Sequence, residues 1–158
     1  QNRRRLEAEA IRDSMLLASG RISFENFPGN QSRSVFEKIN RNQVPDLFAV
    51  FDYPNPGLVT GNRNTSTVPT QALFMMNNEF VLKQASLAGK FIFPRMDLKN
   101  EKKIELAFLT CLGRKPNAEE SKLVNGFFNE SLKGEFTAKA MEGLVHSLFA
   151  CLDFRYLN

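Results

Sequence analysis

Apolar residues recur with a helical period in the first and last thirds of this chain and lose that period in between. From Arg4 to Ser19, strong helix formers carry an apolar face of Leu6, Ala10, Met15, Leu17 and Ala18, and Gly20 supplies a C-terminal stop. A second helical block follows Thr65, Ser66 and Thr67, whose hydroxyls suit capping, with Pro69 early in the helix where its missing N–H matters little. It runs through Ala72, Leu73 and the core-filling pair Met75 and Met76, breaks at Asn77 and Asn78, and resumes from Glu79 to Gly89 on Phe80, Val81, Ala85 and Leu87 or Ala88. Phe91 to Pro94 reads as a connection. Glu101 to Leu112 places Ile104, Ala107, Phe108, Cys111 and Leu112 on one face ahead of Gly113. Asn117 and Glu120 have capping-box spacing before the stripe Leu123, Val124, Phe127, Phe128 and Leu132, which Gly134 ends. Phe136 to Leu152 carries Ala140, Met141, Leu144, Val145, Leu148, Phe149 and Leu152. Three such helices on short loops predict an antiparallel bundle. Each large side chain buried there contributes about 1.5 to 3 kcal/mol.

Between Gly20 and Thr67, turn-forming clusters take over: Phe27-Pro28-Gly29-Asn30, Tyr53-Pro54-Asn55-Pro56-Gly57 and Gly61-Asn62-Arg63-Asn64. Ser34 to Arg41 fits a short strand or helix, and Pro45 to Asp52 a short buried helix followed by a turn. The fold class is therefore all-α: an irregular helical domain with a C-terminal antiparallel bundle and a long loop-rich middle segment. Long irregular segments in compact domains are often functional, which directs attention to this one.

Composition narrows the rest. A chain of 158 residues with 42% hydrophobic content supports one core, so residues 1–158 read as a single domain. The longest apolar stretches, such as Leu144 to Leu152, are broken by His146 and Ser147 and fall short of the roughly 20 residues a bilayer crossing needs; no membrane span is expected. The net charge of +4 comes from 21 basic and 17 acidic residues that are interspersed, with one basic cluster at Arg3 to Arg5, so nucleic acid is not an expected partner. Cys111 and Cys151 occupy apolar helical positions without a CxxC or Cys/His cluster, and a bridged pair and two buried thiols both remain open. The single histidine, His146, falls off the main stripe near Glu142 and reads as a surface residue, so neither a metal site nor a cofactor is expected. The chain opens on Gln1 with no apolar signal core behind its arginines, which fits a segment of a longer protein.

The polar candidates gather on the first helix and the middle segment. Arg5, Glu9 and Asp13 recur at i, i+4, and Glu9 and Arg12 at i, i+3, which predicts an ion-pair ladder on one side of the first helix. Arg33, Asp52, Arg63 and Gln71 complete the set. In one reading, Arg63 and the hydroxyls of Thr65, Ser66 and Thr67 at a helix N-terminus hold an anion such as a sulfated or uronic sugar, while Asp13, Asp52 or Glu9 serve as acid and base. Hydrolysis of a glycoside needs two carboxylates facing a cleft, for which Asp13 with Asp52 is the candidate pair. In the other reading, the same arginines and carboxylates pair with one another and staple the irregular segment onto the helices.

Several of these segments resemble a known family. Arg4 to Ser14, Arg33-Ser34-Val35, Phe51-Asp52, Arg63 to Leu73 and Leu112-Gly113-Arg114-Lys115-Pro116 are similar, in order and spacing, to PSD1, also called DUF1553. The closing Leu144 to Tyr156 is similar to that family's terminal helix, although Cys151-Leu152-Asp153-Phe154 departs from its usual wording. The resemblance implies the C-terminal part of a longer domain in large secreted or periplasmic proteins of planctomycetes and related bacteria. There the domain accompanies other domains of the same polypeptide, in some cases a cytochrome or carbohydrate-binding module, which makes polysaccharide a further implied partner. It implies an extracytoplasmic setting and no established reaction.

Overall fold

The computed structural model describes residues 3–25, 32–41, 43–95, 98–128 and 136–157. Among them are eight α-helices and one two-stranded sheet, in the order β1 (Arg4–Arg5), α1 (Ala8–Ala18), α2 (Asp46–Val50), α3 (Pro69–Asn77), α4 (Glu79–Ile92), α5 (Asn100–Leu112), α6 (Ala118–Gly126), α7 (Ala138–Ala150), α8 (Leu152–Arg155) and β2 (Tyr156–Leu157). A 3-10 turn over Ser34–Phe36 joins α1 to the middle segment. The all-α class is what the structure shows. Among the described residues no helix is long and apolar enough to cross a membrane.

Several local signals act as the sequence predicts. Gly20 and Gly113 adopt φ of +67° and +68° just beyond α1 and α5, the left-handed conformation that ends helices. Pro69 opens α3, and Asn117 with Glu120 forms a reciprocal capping box on α6. Asn78 ends α3 and caps α4, accepting from the Phe80 N–H at 2.9 Å.

Several expectations need correction. The first helix starts at Ala8, because Arg4 and Arg5 form β1 and pair antiparallel with Leu157 and Tyr156. The hydroxyls of Thr65 to Thr67 do not cap α3, whose N-cap is Val68; Ser66 and Thr67 have other partners. Gly89 is no terminus: α4 runs through it to Ile92. Of the two methionines, Met75 is buried and Met76 is 55% exposed. The turn cluster at Phe27 to Asn30, together with Leu132 and Gly134, lies outside the described residues.

Helices α4 and α7 form the central antiparallel pair. Gly89 near the end of α4 meets Glu142 in the first half of α7, while one turn further along α7 the His146 ring nitrogen Nε2 lies 3.1 Å from the carbonyl of Met75 in α3, which leaves His146 half-buried rather than on the surface. Helix α5 runs alongside α7 in the same direction: the Lys103 ammonium near its start sits 5.8 Å from the Phe136 ring, and Arg114 just past its end contacts Asp153. The antiparallel partner of α7 is thus α4 rather than α6. Helix α6 buries no side chain of its own; Leu123 is 74% exposed and Phe127 48%. One continuous apolar cluster takes in Ile11 and Met15 of α1, Phe48 of α2, Phe51, Met75 of α3, Val81 and Ile92 of α4, and Met141, Val145 and Phe149 of α7.

Candidate functional site: arginine-centred clusters around α1

Helix α1 buries Ile11 and Met15 against the core and turns its polar side toward the irregular segment. The predicted charges are all found there, but the local ladder is not formed. Arg12 and Asp13 lie 3.6 Å apart as sequence neighbours, and beyond that contact each charge reaches for a partner distant in sequence.

Arg5 projects from β1 into the interior, with 4% of its side chain exposed, and its Nη2 donates to the Asp52 carboxylate at 2.7 Å. The guanidinium also lies 5.7 Å from the centre of the Phe51 ring, a cation–π arrangement. Asp52 follows α2 in the left-handed conformation, φ 60°, which Asp tolerates better than most residues. This turn aims its carboxylate at Ser66, whose N–H donates at 2.7 Å and whose hydroxyl donates at 2.8 Å. The fully buried Gln71 completes the cluster by donating from Nε2 to the Val50 carbonyl at 3.1 Å and the Ser66 carbonyl at 3.3 Å. Arg5 Nε and Nη1 and Gln71 Oε1 are buried without a hydrogen-bond partner among the described residues. The Ser66 donors ahead of α3 are therefore occupied by an internal anion, Asp52.

Arg63 bridges the same region from outside. Its Nη1 lies 2.9 Å from Glu7 and 2.9 Å from Glu9, and its guanidinium sits 5.6 Å from the Tyr53 ring. Burial acts to lower the Arg63 pKa, but the Glu9 hydrogen bond and the attraction of Glu9 and Glu7 outweigh it and leave the value raised. Two carboxylates on one guanidinium leave a net negative charge, the wrong sign for holding an anion. Thr65 lines the small cavity shared by Arg5, Asp52, Glu9 and Arg63, about 30 Å³ in volume, which is room for one water. Thr67 bonds the Tyr156 hydroxyl at 2.8 Å and so ties the loop to β2.

Arg12 and Asp13, on the next turn of α1, form a separate cluster with Arg33 from the edge of the 3-10 turn. Buried Arg12 donates from Nη1 to the Ser32 carbonyl at 2.9 Å and from Nη2 to Glu37 at 3.0 Å. Asp13 accepts from the Ser34 N–H at 2.8 Å and the Ser34 hydroxyl at 2.6 Å, with Arg33 Nε at 3.5 Å. The structure thus places Asp52 with Arg5, Glu9 with Arg63, and Asp13 with Ser34.

A fourth cluster was not anticipated as a site. Arg114 donates to both Glu120 oxygens at 2.7 Å and to Asp153 at 2.6 Å, joining the α5–α6 loop to α8. The hydrogen bond from Arg114 depresses the Glu120 pKa against the opposing effect of burial, and the bonds to Glu120 and then Asp153 raise that of Arg114. The signal in the sequence was the arginine standing between a helix-stop glycine and a capping box.

No curated protein and no solved structure matches this chain. A family model, PSD1, described as "Protein of unknown function (DUF1553)", matches residues 1–128, a span that takes in the Arg5, Arg12 and Arg63 clusters and stops ahead of α7. The chain belongs to the PSD1 (DUF1553) family.

Proposed function

We propose that this chain is a helical structural and interaction module of a larger extracytoplasmic bacterial protein, periplasmic or secreted, whose chemistry is carried out mainly by other parts of the polypeptide. The observation that carries this reading is the internal matching of charge. Arg5 is matched by Asp52, Arg12 by Glu37, and Arg63 by Glu7 and Glu9, each arginine linking α1 or β1 to the irregular segment or linking that segment back. Such long-range pairs fix the shape of a segment that lacks a continuous hydrogen-bond ladder. The extracytoplasmic setting, other domains of the same polypeptide as partners, and a link to polysaccharide handling or extracytoplasmic electron transfer rest on the family likeness set out above.

The test pairs stability with ligand screening. Arg5→Ala removes one partner of a buried charge pair and is expected to lower unfolding free energy by about 3 kcal/mol. Arg63→Ala, at an exposed pair, is expected to change it by less than about 1 kcal/mol. Sulfated and uronic oligosaccharides are expected to leave the melting temperature unchanged. A saturable rise that disappears in a folded Arg63→Ala protein would instead establish the anion-binding carbohydrate site built on Arg63, Arg33, Asp52 and α1.

A further inference from the structure

A half-open cleft of about 220 Å³ lies where α1, the segment after the 3-10 turn, α2 and the α3–α4 junction meet. Its polar lining is Arg12, Glu37, Asp46 and Asn78, and phenylalanine side chains, Phe74 and Phe80 among them, form much of the rest. The cation in this lining already has its anion. Arg12 donates to Glu37 at 3.0 Å and to the Ser34 hydroxyl at 3.3 Å, and it lies 5.9 Å from the centre of the Phe80 ring.

What the cleft still offers is mostly acceptor capacity. Glu37 binds Arg12 through Oε2 and keeps Oε1, while Asp46 is exposed and has no ion pair among the described residues. The ionisable lining therefore carries one net negative charge. Asn78 uses Oδ1 to cap α4, which leaves its side-chain NH₂ as a donor. The positive end of the α4 dipole also faces this region, but Glu79 in the first turn and the Asn78 cap answer it. The phenylalanines supply apolar wall, and the Phe80 ring already has the Arg12 guanidinium beside it.

We propose that this cleft is a binding site for a small organic ammonium compound, with the ammonium held by Asp46 and Glu37 and an apolar body lying against the phenylalanines. The volume is below the roughly 300 Å³ at which pockets for drug-sized ligands begin, so the ligand is about one ring in size. A hydroxyl or ether oxygen on it would meet the Asn78 NH₂.

The experiment is an NMR titration of the chain with benzylammonium chloride, with benzyl alcohol as the neutral counterpart and Asp46→Asn as the variant. Asp46 is exposed and outside the internal charge pairs, so the variant is expected to fold normally. Benzylammonium is expected to move the Asn78 side-chain and Phe80 backbone resonances along a saturating curve, with about three- to tenfold weaker binding in Asp46→Asn. Benzyl alcohol is expected to bind weakly and with no difference between the two proteins. Absence of a saturable shift, equal affinity for the amine and the alcohol, or an amine affinity indifferent to Asp46 would each overturn the assignment.

Discussion

Gly89 of α4 and Glu142 of α7 are in contact through their backbones. A Cβ placed on Gly89 would lie 2.8 Å from the Glu142 Cα and 2.9 Å from its nitrogen, closer than unbonded atoms approach. Neither backbone can yield alone, because each belongs to a helix buried in the same core. Gly89→Ala is therefore expected to destabilise the protein by about 1 to 3 kcal/mol despite the better helix propensity of alanine, through overpacking. Urea unfolding of the variant reads this directly, and a neutral or stabilising result would mean that α4 and α7 sit further apart.

Substitutions of Asp52 separate its charge from its conformation. Asn tolerates the left-handed backbone and keeps an acceptor for the Ser66 N–H, so Asp52→Asn is expected to cost about 1 to 2 kcal/mol. Ala loses the acceptor, strands the buried Arg5 and adds backbone strain, for a total of about 3 to 5 kcal/mol. Denaturation of both variants should give that order; equal losses would show that the charge alone matters.

Hydrogen bonds from Lys102 and then Lys115 hold the Glu105 carboxyl at about 2, below its ordinary 4.5. A carboxyl whose pKa is lower when folded contributes stability that is fully present above the unfolded value and is lost as pH falls through the folded one. The window here is from pH 4.5 down to about 2. Glu105→Gln is expected to flatten the melting temperature against pH in that window while leaving the curve above it parallel to wild type. Because the lysines are solvent-exposed, added salt should shrink the difference.

Burial pushes the Cys111 thiol up to about 12, and burial also raises Cys151. Only the thiolate alkylates, so reaction of native Cys111 with iodoacetamide near neutral pH is expected to be roughly a thousandfold slower than in the denatured chain. Mass spectrometry of timed, quenched samples measures both rates. Rapid native labelling would mean that the last turn of α5 opens readily.

What the sequence disclosed and what it concealed divide by range. Signals settled within a few residues were legible, such as Gly113 behind α5, Pro69 at the start of α3 and the Asn117–Glu120 box. Between distant segments, the sequence pointed to arginines and carboxylates stapling the irregular segment onto the helices, but not to which residue takes which. Arg4 and Arg5 read as the start of a helix because a two-residue strand has no period of its own, and pairing with Tyr156 and Leu157 overrides propensity. The charges were present as named, yet the local i, i+4 rule assigned the wrong partners: Arg5 lies on β1, and Asp52, 47 positions away, takes it. The stripe on α6 was visible, but periodicity does not reveal whether a neighbour covers it, and Leu123 remains exposed.

The small sheet also sets where force would enter the fold. Arg4 lies opposite Leu157 in an antiparallel pair, so β1 and β2 hold the two ends of the described chain side by side. A pull that separated Arg4 from Leu157 would load this pair of strands first, and next the grip of Asp52 on Arg5, before it reached α1.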